Sequence, residues 1–250
     1  MHPNIIHTIT LLSGILFSSA TLAAGGKAHW GYEGNKGPSH WGELSHDYVT
    51  CQNGKNQSPI NINSSTAVKL ANIKFSYQAA PIDIVNNGHT IQMNYAKGSM
   101  LSVGGKTYQL LQFHFHSPSE HEINGKPYDM VAHLVHQAAD GQLGVIGVLM
   151  KIGKANPVID SIWKHVPQKT GEHNKVDMTL NAADLLPTKH SYYNYSGSLT
   201  TPPCSEGVNW MVLQTPVEVS AVQVDAFTAI FAKSVRPVQP LNDRTVHASK

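Results

Sequence analysis

The sequence predicts a mainly β protein of the α+β class, folded as a single domain. Most apolar runs between Ile60 and Val219 are short, rich in Val, Ile, Phe and Tyr, and broken by Gly, Asn, Asp or Pro. This is the pattern of strands separated by turns. A length of 250 residues allows one large β domain or two small ones, but no linker or abrupt change of composition divides the chain.

Seven apolar segments are predicted as strands because they combine β-forming residues with flanking turn residues. They are Ile82–Val85, Thr90–Tyr95, Met100–Val103, Leu111–His116, Met130–His136, Gly144–Met150 and Val208–Leu213.

Two segments are predicted as helices. One begins at Asn156-Pro157 and runs toward Val166, since proline is favoured in a first helical turn and Pro167 ends the pattern. The other follows Ser220, which forms a capping-box pattern with Gln223 ahead of apolar residues at helical spacing. We interpret both helices as packing elements.

The N-terminal segment predicts export. Residues Ile5 to Leu22 are apolar with small polar interruptions, and small residues allow signal-peptidase cleavage near Ala23 or Ala24. Residues 1–24 are therefore predicted as a signal peptide and residues 25–250 as the folded domain. An uncleaved N-terminal anchor is the alternative, although the segment is short and rich in Ser and Thr for a membrane span. No stable membrane insertion is expected.

Charge and cysteine content narrow the function classes. The net charge is only +2, with 18 basic and 16 acidic residues scattered along the chain, so nothing indicates nucleic-acid binding. Cys51 and Cys204 are an even pair in a chain that is predicted to be exported, which favours a disulfide, with two free thiols as the alternative.

A histidine pair gives the clearest sign of chemistry. On the predicted strand Leu111–His116, the side chains of Gln112, His114 and His116 share one face. A catalytic zinc site needs three protein ligands and an open fourth position, and His133 on the next predicted strand is the best third ligand. The alternative is that these are hydrogen-bonded core histidines. Two buried imidazoles on one face favour a metal.

At these residues the chain resembles the α-class carbonic anhydrases. The resemblance covers about residues 29 to 246, and many ordered blocks carry it. The blocks are Trp30-Gly31-Tyr32, Gln57-Ser58-Pro59-Ile60-Asn61-Ile62, Asn86-Asn87-Gly88-His89, Gln112-Phe113-His114-Phe115-His116, Pro118-Ser119-Glu120-His121, His133-Leu134-Val135-His136, Gly197-Ser198-Leu199-Thr200-Thr201-Pro202-Pro203, Arg236-Pro237 and Gln239-Pro240-Leu241.

The resemblance implies a large, twisted, mostly antiparallel sheet with short surface helices, and the α-carbonic anhydrase reaction. His114, His116 and His133 are then ligands of Zn²⁺, whose bound hydroxide hydrates carbon dioxide to bicarbonate and a proton. The pKa of zinc-bound water near 7 is an established value for this family. Esterase activity is a possible side reaction.

The resemblance also assigns roles around the metal. Thr200 is expected to orient the hydroxide by donating its own proton to Glu120, and His89 to act as the proton shuttle. The remaining matches are Thr201 as a second substrate contact; Tyr32, Asn87 and Gln92 on the polar side; Val135, Val145, Leu199 and Trp210 on the apolar side that receives carbon dioxide.

Residues behind the ligands are expected to fix their tautomers. Gln112 matches the partner of His114, and a main-chain carbonyl near Asp243 is expected to serve His116. Here the chain departs from the pattern: the family usually has glutamate two residues before the third histidine, and this chain has Val131. Asp129 lies too far back to replace it directly, so we expect zinc to be held less tightly.

In the bacterial branch of the family the equivalents of Cys51 and Cys204 pair, the proteins are exported to the periplasm, and a homodimer is possible. Two alternatives to the enzyme remain. One is a catalytically silent relative, although such proteins typically lack a ligand histidine. The other is a different zinc hydrolase such as an esterase, which the bulky residues Val135, Val145 and Leu199 disfavour.

Overall fold

One large sheet organises residues 28–250, the part of the chain that the computed structural model describes. The strands in this part are β1 (Asn61–Ile62), β2 (Thr66–Val68), β3 (Lys74–Ser76), β4 (Ala80–Asn86), β5 (Ile91–Asn94), β6 (Met100–Val103), β7 (Lys106–His116), β8 (Glu122–Ile123), β9 (Lys126–Pro127), β10 (Met130–Ala138), β11 (Leu143–Ile152), β12 (His173–Leu180), β13 (Tyr192–Ser198), β14 (Glu206–Leu213), β15 (Val217–Val219) and β16 (His247–Ser249).

The large sheet has thirteen strands in the order β12-β4-β5-β7-β10-β11-β14-β13-β16-β2, with β15 beside β11, β6 beside β7 and β3 beside β6. Its pairs are antiparallel except β11 with β14, β11 with β15 and β16 with β2. A small sheet contains β1, β8 and β9. The predicted fold class, mainly β on a large twisted and mostly antiparallel sheet, is confirmed.

Within residues 28–250, four short α-helices lie beside the sheet: α1 (Trp41–Leu44), α2 (Thr50–Asn53), α3 (Pro157–Trp163) and α4 (Ala221–Thr228). Both predicted helices are present and begin as predicted. The Asn156 side chain accepts hydrogen bonds from Val158 N and Ile159 N at the start of α3, and Ser220 and Gln223 form the capping box of α4. Helix α3 ends before Val166, because a residue that precedes proline is sterically disfavoured in helical conformation.

Strand alternation gives the sheet two different faces. Along β10, Ala132 and Leu134 point into the main hydrophobic core, where α3 and α4 also pack. Val131 and Val135 point to the opposite face and join a second apolar cluster with residues of β11 and β14. His133 lies between these two valines on the second face, because side chains two apart share a face.

All seven predicted strands are present, with ends that differ by a few residues. The sequence reading missed β12, the edge strand beside β4, because its residues are largely polar and exposed. It also missed β13, which reads Tyr-Tyr-Asn-Tyr-Ser-Gly-Ser and contains few aliphatic residues.

The N-terminal part of the described chain packs around a disulfide. Cys51 and Cys204 are bonded, which confirms the predicted pair, and they lie in a small cluster with Tyr32, Trp41 and Tyr48. The predicted signal peptide, residues 1–24, lies outside the described residues. Within residues 28–250 no helix has the length and apolar character needed to cross a membrane.

Candidate metal centre

Three neighbouring strands bring the predicted ligands together. His114 on β7 pairs directly with Gln92 on β5 and with His133 on β10, while His116 pairs with Val131. Their imidazole centroids lie 5.1 Å (His114 to His116), 5.4 Å (His114 to His133) and 4.9 Å (His116 to His133) apart. Each ring offers one nitrogen, and the three nitrogens lie within 4.8 Å of one another. The predicted ligand set is therefore one cluster.

Both histidines of β7 have a hydrogen-bond partner behind the ring. His114 Nδ1 lies 2.8 Å from Gln112 Oε1, and His116 Nδ1 contacts the carbonyl oxygen of Ser234. Oxygens of this kind only accept, so Nδ1 carries the proton and Nε2 keeps its lone pair for a metal. The role expected of Gln112 is supported, but the carbonyl that serves His116 belongs to Ser234 and not to a residue near Asp243.

His133, the third histidine, differs from the other two in the orientation of its ring and in its hydrogen-bond partners. His133 Nδ1 lies 3.8 Å from Glu120 Oε2, the same oxygen that lies 3.5 Å from His116 Nε2, so Nδ1 faces the cluster. His133 Nε2 is fully buried and has no hydrogen-bond partner among residues 28–250. Leaving such a group unpaired costs about 1–3 kcal/mol. As expected, Asp129 does not replace the missing acceptor, because its carboxylate accepts from Ile152 N instead.

Burial keeps the cluster in the form that binds metal. The pKa of His114 is held well below its usual value by burial and then by the neighbouring His116. Burial lowers the pKa of His133 in the same way, with further contributions from His116, His114 and His121. Neutral imidazoles with free lone pairs are the ligands that zinc prefers. His114 is partly exposed, so the cluster is open on one side.

Glu120 connects the histidine cluster to the C-terminal part of the chain through a hydrogen bond. Glu120 Oε1 accepts a hydrogen bond from Arg236 N (2.9 Å), whereas the buried Oε2 has no hydrogen-bond partner among the described residues. The predicted hydrogen bond from Thr200 to Glu120 is therefore absent from this structure. Thr200 itself is buried beside Leu199, after the end of β13.

Arg236 links several parts of the site. Its guanidinium donates to Gln57 Oε1 and Ser58 O (2.8 and 2.9 Å) and to Cys51 O (2.8 Å). Gln57 Nε2 in turn donates to the carbonyl of Cys204. The disulfide and this network fix the loop that contains Thr200 and Thr201 against the N-terminal segment.

The predicted polar residues form one side of the site. The Asn87 side chain accepts from His89 N and Thr90 N (3.0 and 2.9 Å), which shapes the turn that presents the His89 ring. Asn87 also donates to Gln92. Tyr32 has a buried hydroxyl without a partner among residues 28–250, and its pKa is raised by burial and by Glu120.

The His89 ring stacks on Trp30, with ring centroids 3.6 Å apart and an interplanar angle of 8°. Burial lowers the pKa of His89 from its ordinary value, and the nearby His29 lowers it further. A cavity beside this ring is lined also by His29, Pro202 and Pro203. The imidazole therefore lies between the rest of the polar side and an opening to solvent.

The predicted apolar residues form the other side. Val135 on β10 pairs with Val145 on β11, which pairs with Trp210 on β14, so the three side chains form a row across the sheet. Leu199 packs against the same cluster. Trp210 also contacts the His133 ring, with centroids 4.9 Å apart, so the apolar row lies directly beside the histidine cluster.

Comparisons with known proteins agree with this geometry. The sequence model of a family described as eukaryotic-type carbonic anhydrase matches residues 36–250. A carbonic anhydrase from Neisseria gonorrhoeae is 46% identical over 240 residues, which are 95% of this chain and 94% of that protein. One from Pectobacterium carotovorum is 43% identical over 240 residues, 96% of this chain and 97% of that protein.

The chain belongs to the α-class carbonic anhydrase family. A solved α-carbonic anhydrase from Thermovibrio ammonificans, in complex with the inhibitor sulfanilamide, superposes with a TM-score of 0.87. It is 46% identical, and the match covers 90% of this chain and all of that one. Hydration of carbon dioxide is the general reaction of carbonic anhydrases, and the three histidines form a site that can hold a metal.

Several residues of this carbonic anhydrase site were missed from the sequence. Ser234 contributes a main-chain carbonyl, and no side-chain pattern reveals which carbonyl faces a histidine. Trp30 stacks on His89, a contact that the motif Trp30-Gly31-Tyr32 does not predict. Arg236 had a usable signal, since only two of the 18 basic residues are arginines and the planar guanidinium suits a buried network of acceptors.

Proposed function

We propose that this chain is an exported, zinc-dependent carbonic anhydrase that catalyses the reversible hydration of carbon dioxide to bicarbonate and a proton. The observation that carries the proposal is the cluster of three imidazoles, two of which are oriented by acceptors behind the ring. Neutral ligands leave the double charge of the metal undiminished, whereas thiolates would reduce its acidity.

His114 Nε2, His116 Nε2 and His133 Nδ1 would hold the zinc. When bound, the ion supplies hydroxide near neutral pH by lowering the pKa of a water molecule. His116 Nε2 and Glu120 Oε2 are fully buried and have no hydrogen-bond partner among residues 28–250, which supports a metal ion in this position, since buried polar atoms otherwise find hydrogen bonds. The donor set, three nitrogens and no thiolate, matches a catalytic zinc site.

Thr200 and Glu120 orient the attacking group in this proposal. Glu120 is fixed by Arg236 N and keeps Oε2 free to accept from the Thr200 hydroxyl. A threonine that donates to a carboxylate must accept from any other donor, which selects one orientation of that donor. Thr201 is the second contact to the substrate in this arrangement.

Carbon dioxide binds against the apolar row of Val135, Val145 and Trp210, together with Leu199. The substrate carries no net charge and no hydrogen-bond donor, so an apolar surface beside the metal is suited to it. Bicarbonate is charged, and it therefore leaves this surface for the polar side, which is lined by Tyr32, Asn87 and Gln92.

His89 transfers the proton to solvent. Imidazole can both accept and donate a proton, the lowered pKa of His89 favours release of the proton that it accepts, and its position beside an open cavity suits exchange with buffer. His89→Ala is expected to lower turnover in dilute buffer, and added imidazole is expected to restore it. A variant that keeps full turnover in dilute buffer would remove His89 from this role. Export to the periplasm after cleavage near Ala23 or Ala24 agrees with the disulfide.

The test is stopped-flow hydration of carbon dioxide by the purified chain, with zinc measured in the same sample. We expect hydration above the buffer rate that disappears when a chelator removes zinc and returns when zinc is added. Full zinc occupancy without hydration would instead identify a silent relative, in which the three histidines hold a metal that does no such chemistry.

A further inference from the structure

Besides His116 Nε2, which points into the ligand cluster, the candidate metal centre contains two more buried ring nitrogens without a hydrogen-bond partner among residues 28–250. They are His133 Nε2 and His121 Nδ1, and both lack a hydrogen-bond partner in the described chain. Both histidine side chains are almost completely buried. Unpaired buried polar atoms are rare in folded proteins, so two in one place indicate a missing group.

The two rings are neighbours. Their centroids lie 6.2 Å apart, and both rings contact Trp210, at 4.6 Å for His121 and 4.9 Å for His133. His121 is fixed on its other side, because His121 Nε2 lies 2.6 Å from the hydroxyl of Tyr195. The two unpaired nitrogens therefore belong to adjacent rings that pack beside the same tryptophan.

Val131 occupies the position from which a polar side chain could reach His133 Nε2. It lies two residues before His133 on β10, so its side chain shares the face of the His133 ring. It is fully buried in the apolar cluster that also contains Trp210, and it pairs across the strands with His116 and Leu149. A valine side chain neither donates nor accepts, so it cannot satisfy His133 Nε2.

We propose that Val131 sets the rate at which this protein releases its metal, because it leaves the third ligand without a partner behind the ring. The inference rests on the proposed function in one respect, that His133 binds zinc through Nδ1. His133 Nε2 then carries a proton that it donates to nothing. A partner there would fix the tautomer, restrict rotation of the ring and make Nδ1 a stronger donor to the metal.

The expected consequence is a zinc ion that dissociates faster than from a site with three braced histidines. The ring of His133 is restrained by packing against Trp210 and the neighbouring imidazoles but by no hydrogen bond at Nε2, so it would be the first of the three ligands to let go of the metal. Retention of zinc by this chain then depends on the free zinc concentration around it.

The test replaces Val131 with residues that can and cannot accept a hydrogen bond. Val131→Glu is expected to slow zinc loss to an excess of chelator by about 10–100-fold, the usual effect of a partner to a metal ligand. Val131→Gln, which accepts without a charge, is expected to give a smaller slowing. Val131→Leu, a matched apolar control, is expected to release zinc at the rate of the unchanged chain.

Equal zinc dissociation rates for Val131→Glu and the unchanged chain would overturn the proposal, provided that both metal-free proteins show the same near-ultraviolet circular dichroism. A chain that binds no zinc at all would overturn the proposed function together with this inference. Zinc binding with equal rates would overturn the inference alone.

A second measurement needs no variant and covers the case in which Val131→Glu fails to fold. Nitrogen-15 NMR of the zinc-loaded chain reports the ring N–H protons of the histidines. The Nε2–H proton of His133 is expected upfield of the hydrogen-bonded Nδ1–H proton of His114, because a hydrogen bond shifts such protons downfield. Equal downfield shifts of both protons would overturn the proposal.

Discussion

The two strands that carry the histidine cluster differ in the hydrogen-bond partners that lie behind their ligands. On β7, His114 and His116 each have an acceptor at Nδ1, supplied by Gln112 and by the Ser234 carbonyl. On β10, His133 Nε2 has no hydrogen-bond partner in the described part of the chain. The register of the sheet alone brings three imidazoles together, but the partners that orient them come from separate positions. Ligand placement and ligand support are therefore independent properties of this fold.

Strand β10 is not poor in partners as a whole. Its second histidine, His136, has both ring nitrogens occupied: Nε2 lies 2.7 Å from the Tyr77 hydroxyl and Nδ1 lies 3.2 Å from the Gly144 carbonyl. Two histidines of one strand thus differ in their hydrogen-bond partners, and the difference comes from the neighbours of His133, among them the apolar Val131. It does not reflect a general shortage of polar groups in the sheet.

Removal of a ligand is expected to have the largest effect. His116→Ala should lose zinc on dialysis and hydrate carbon dioxide at the buffer rate, because two imidazoles do not make a durable catalytic site. His133→Ala should also lose zinc, but with a dissociation constant about 10-fold below that of His116→Ala, because the ligand it removes was the unsupported one.

Equilibrium zinc titration with a competing chelator measures both dissociation constants. His173→Ala is the matched control, since that imidazole is exposed and lies beside Asp83, outside the cluster. Equal dissociation constants for the His116 and His133 variants would mean that the partners behind the rings do not distinguish the two strands.

Removal of the hydrogen-bond partner of His114 on β7 should leave that ligand unsupported, as His133 is on β10. Gln112→Ala leaves His114 Nδ1 without its acceptor and is expected to weaken zinc binding by about 10–100-fold. Gln112→Glu keeps an acceptor of the same length and is expected to retain zinc at least as well as the unchanged chain. The same chelator titration measures both, and unaltered affinity in Gln112→Ala would contradict the role of Gln112.

Much of this arrangement could be predicted from the sequence, partly from local alternation and partly from the family motif. Alternation along Leu111–His116 placed two ligands on one face, and the strand pattern around His133 supplied the third. The absence of glutamate at Val131 was visible as a departure from the family pattern. These features are local or depend on one motif.

The features that were missed depend on contacts between distant parts of the chain. The Ser234 carbonyl reaches His116 across 118 positions, and the Arg236 guanidinium reaches the Cys51 carbonyl across 185. Main-chain carbonyls are present at every residue, so sequence cannot say which one faces a ring. The polar strand β12 was missed because its pairing with β4, and not its own composition, makes it a strand.

The smallest expected effect concerns the stability of the folded chain. It comes from His136, whose two ring nitrogens both have hydrogen-bond partners. Burial lowers the pKa of His136 to about 4, against about 6.5 in an unfolded chain. The stability that neutral His136 contributes is therefore complete above pH 6.5 and is lost as the pH falls toward 4. Between pH 7 and pH 5 the loss amounts to about 2 kcal/mol.

His136→Gln removes this titration and should make the free energy of unfolding less dependent on pH by that amount. Urea unfolding of both proteins at pH 7 and at pH 5 measures the difference. The other buried histidines are common to the two proteins and cancel in this comparison. An identical pH dependence would show that His136 is not held neutral in the folded state.

A crystal structure of the zinc-loaded chain, with anomalous diffraction recorded at the zinc edge, tests this ligand arrangement most directly. We expect one zinc ion held at about 2.0–2.1 Å by His114 Nε2, His116 Nε2 and His133 Nδ1, with His133 Nε2 facing Val131 and lacking a partner. Zinc bound elsewhere, or bound through His133 Nε2, would contradict it.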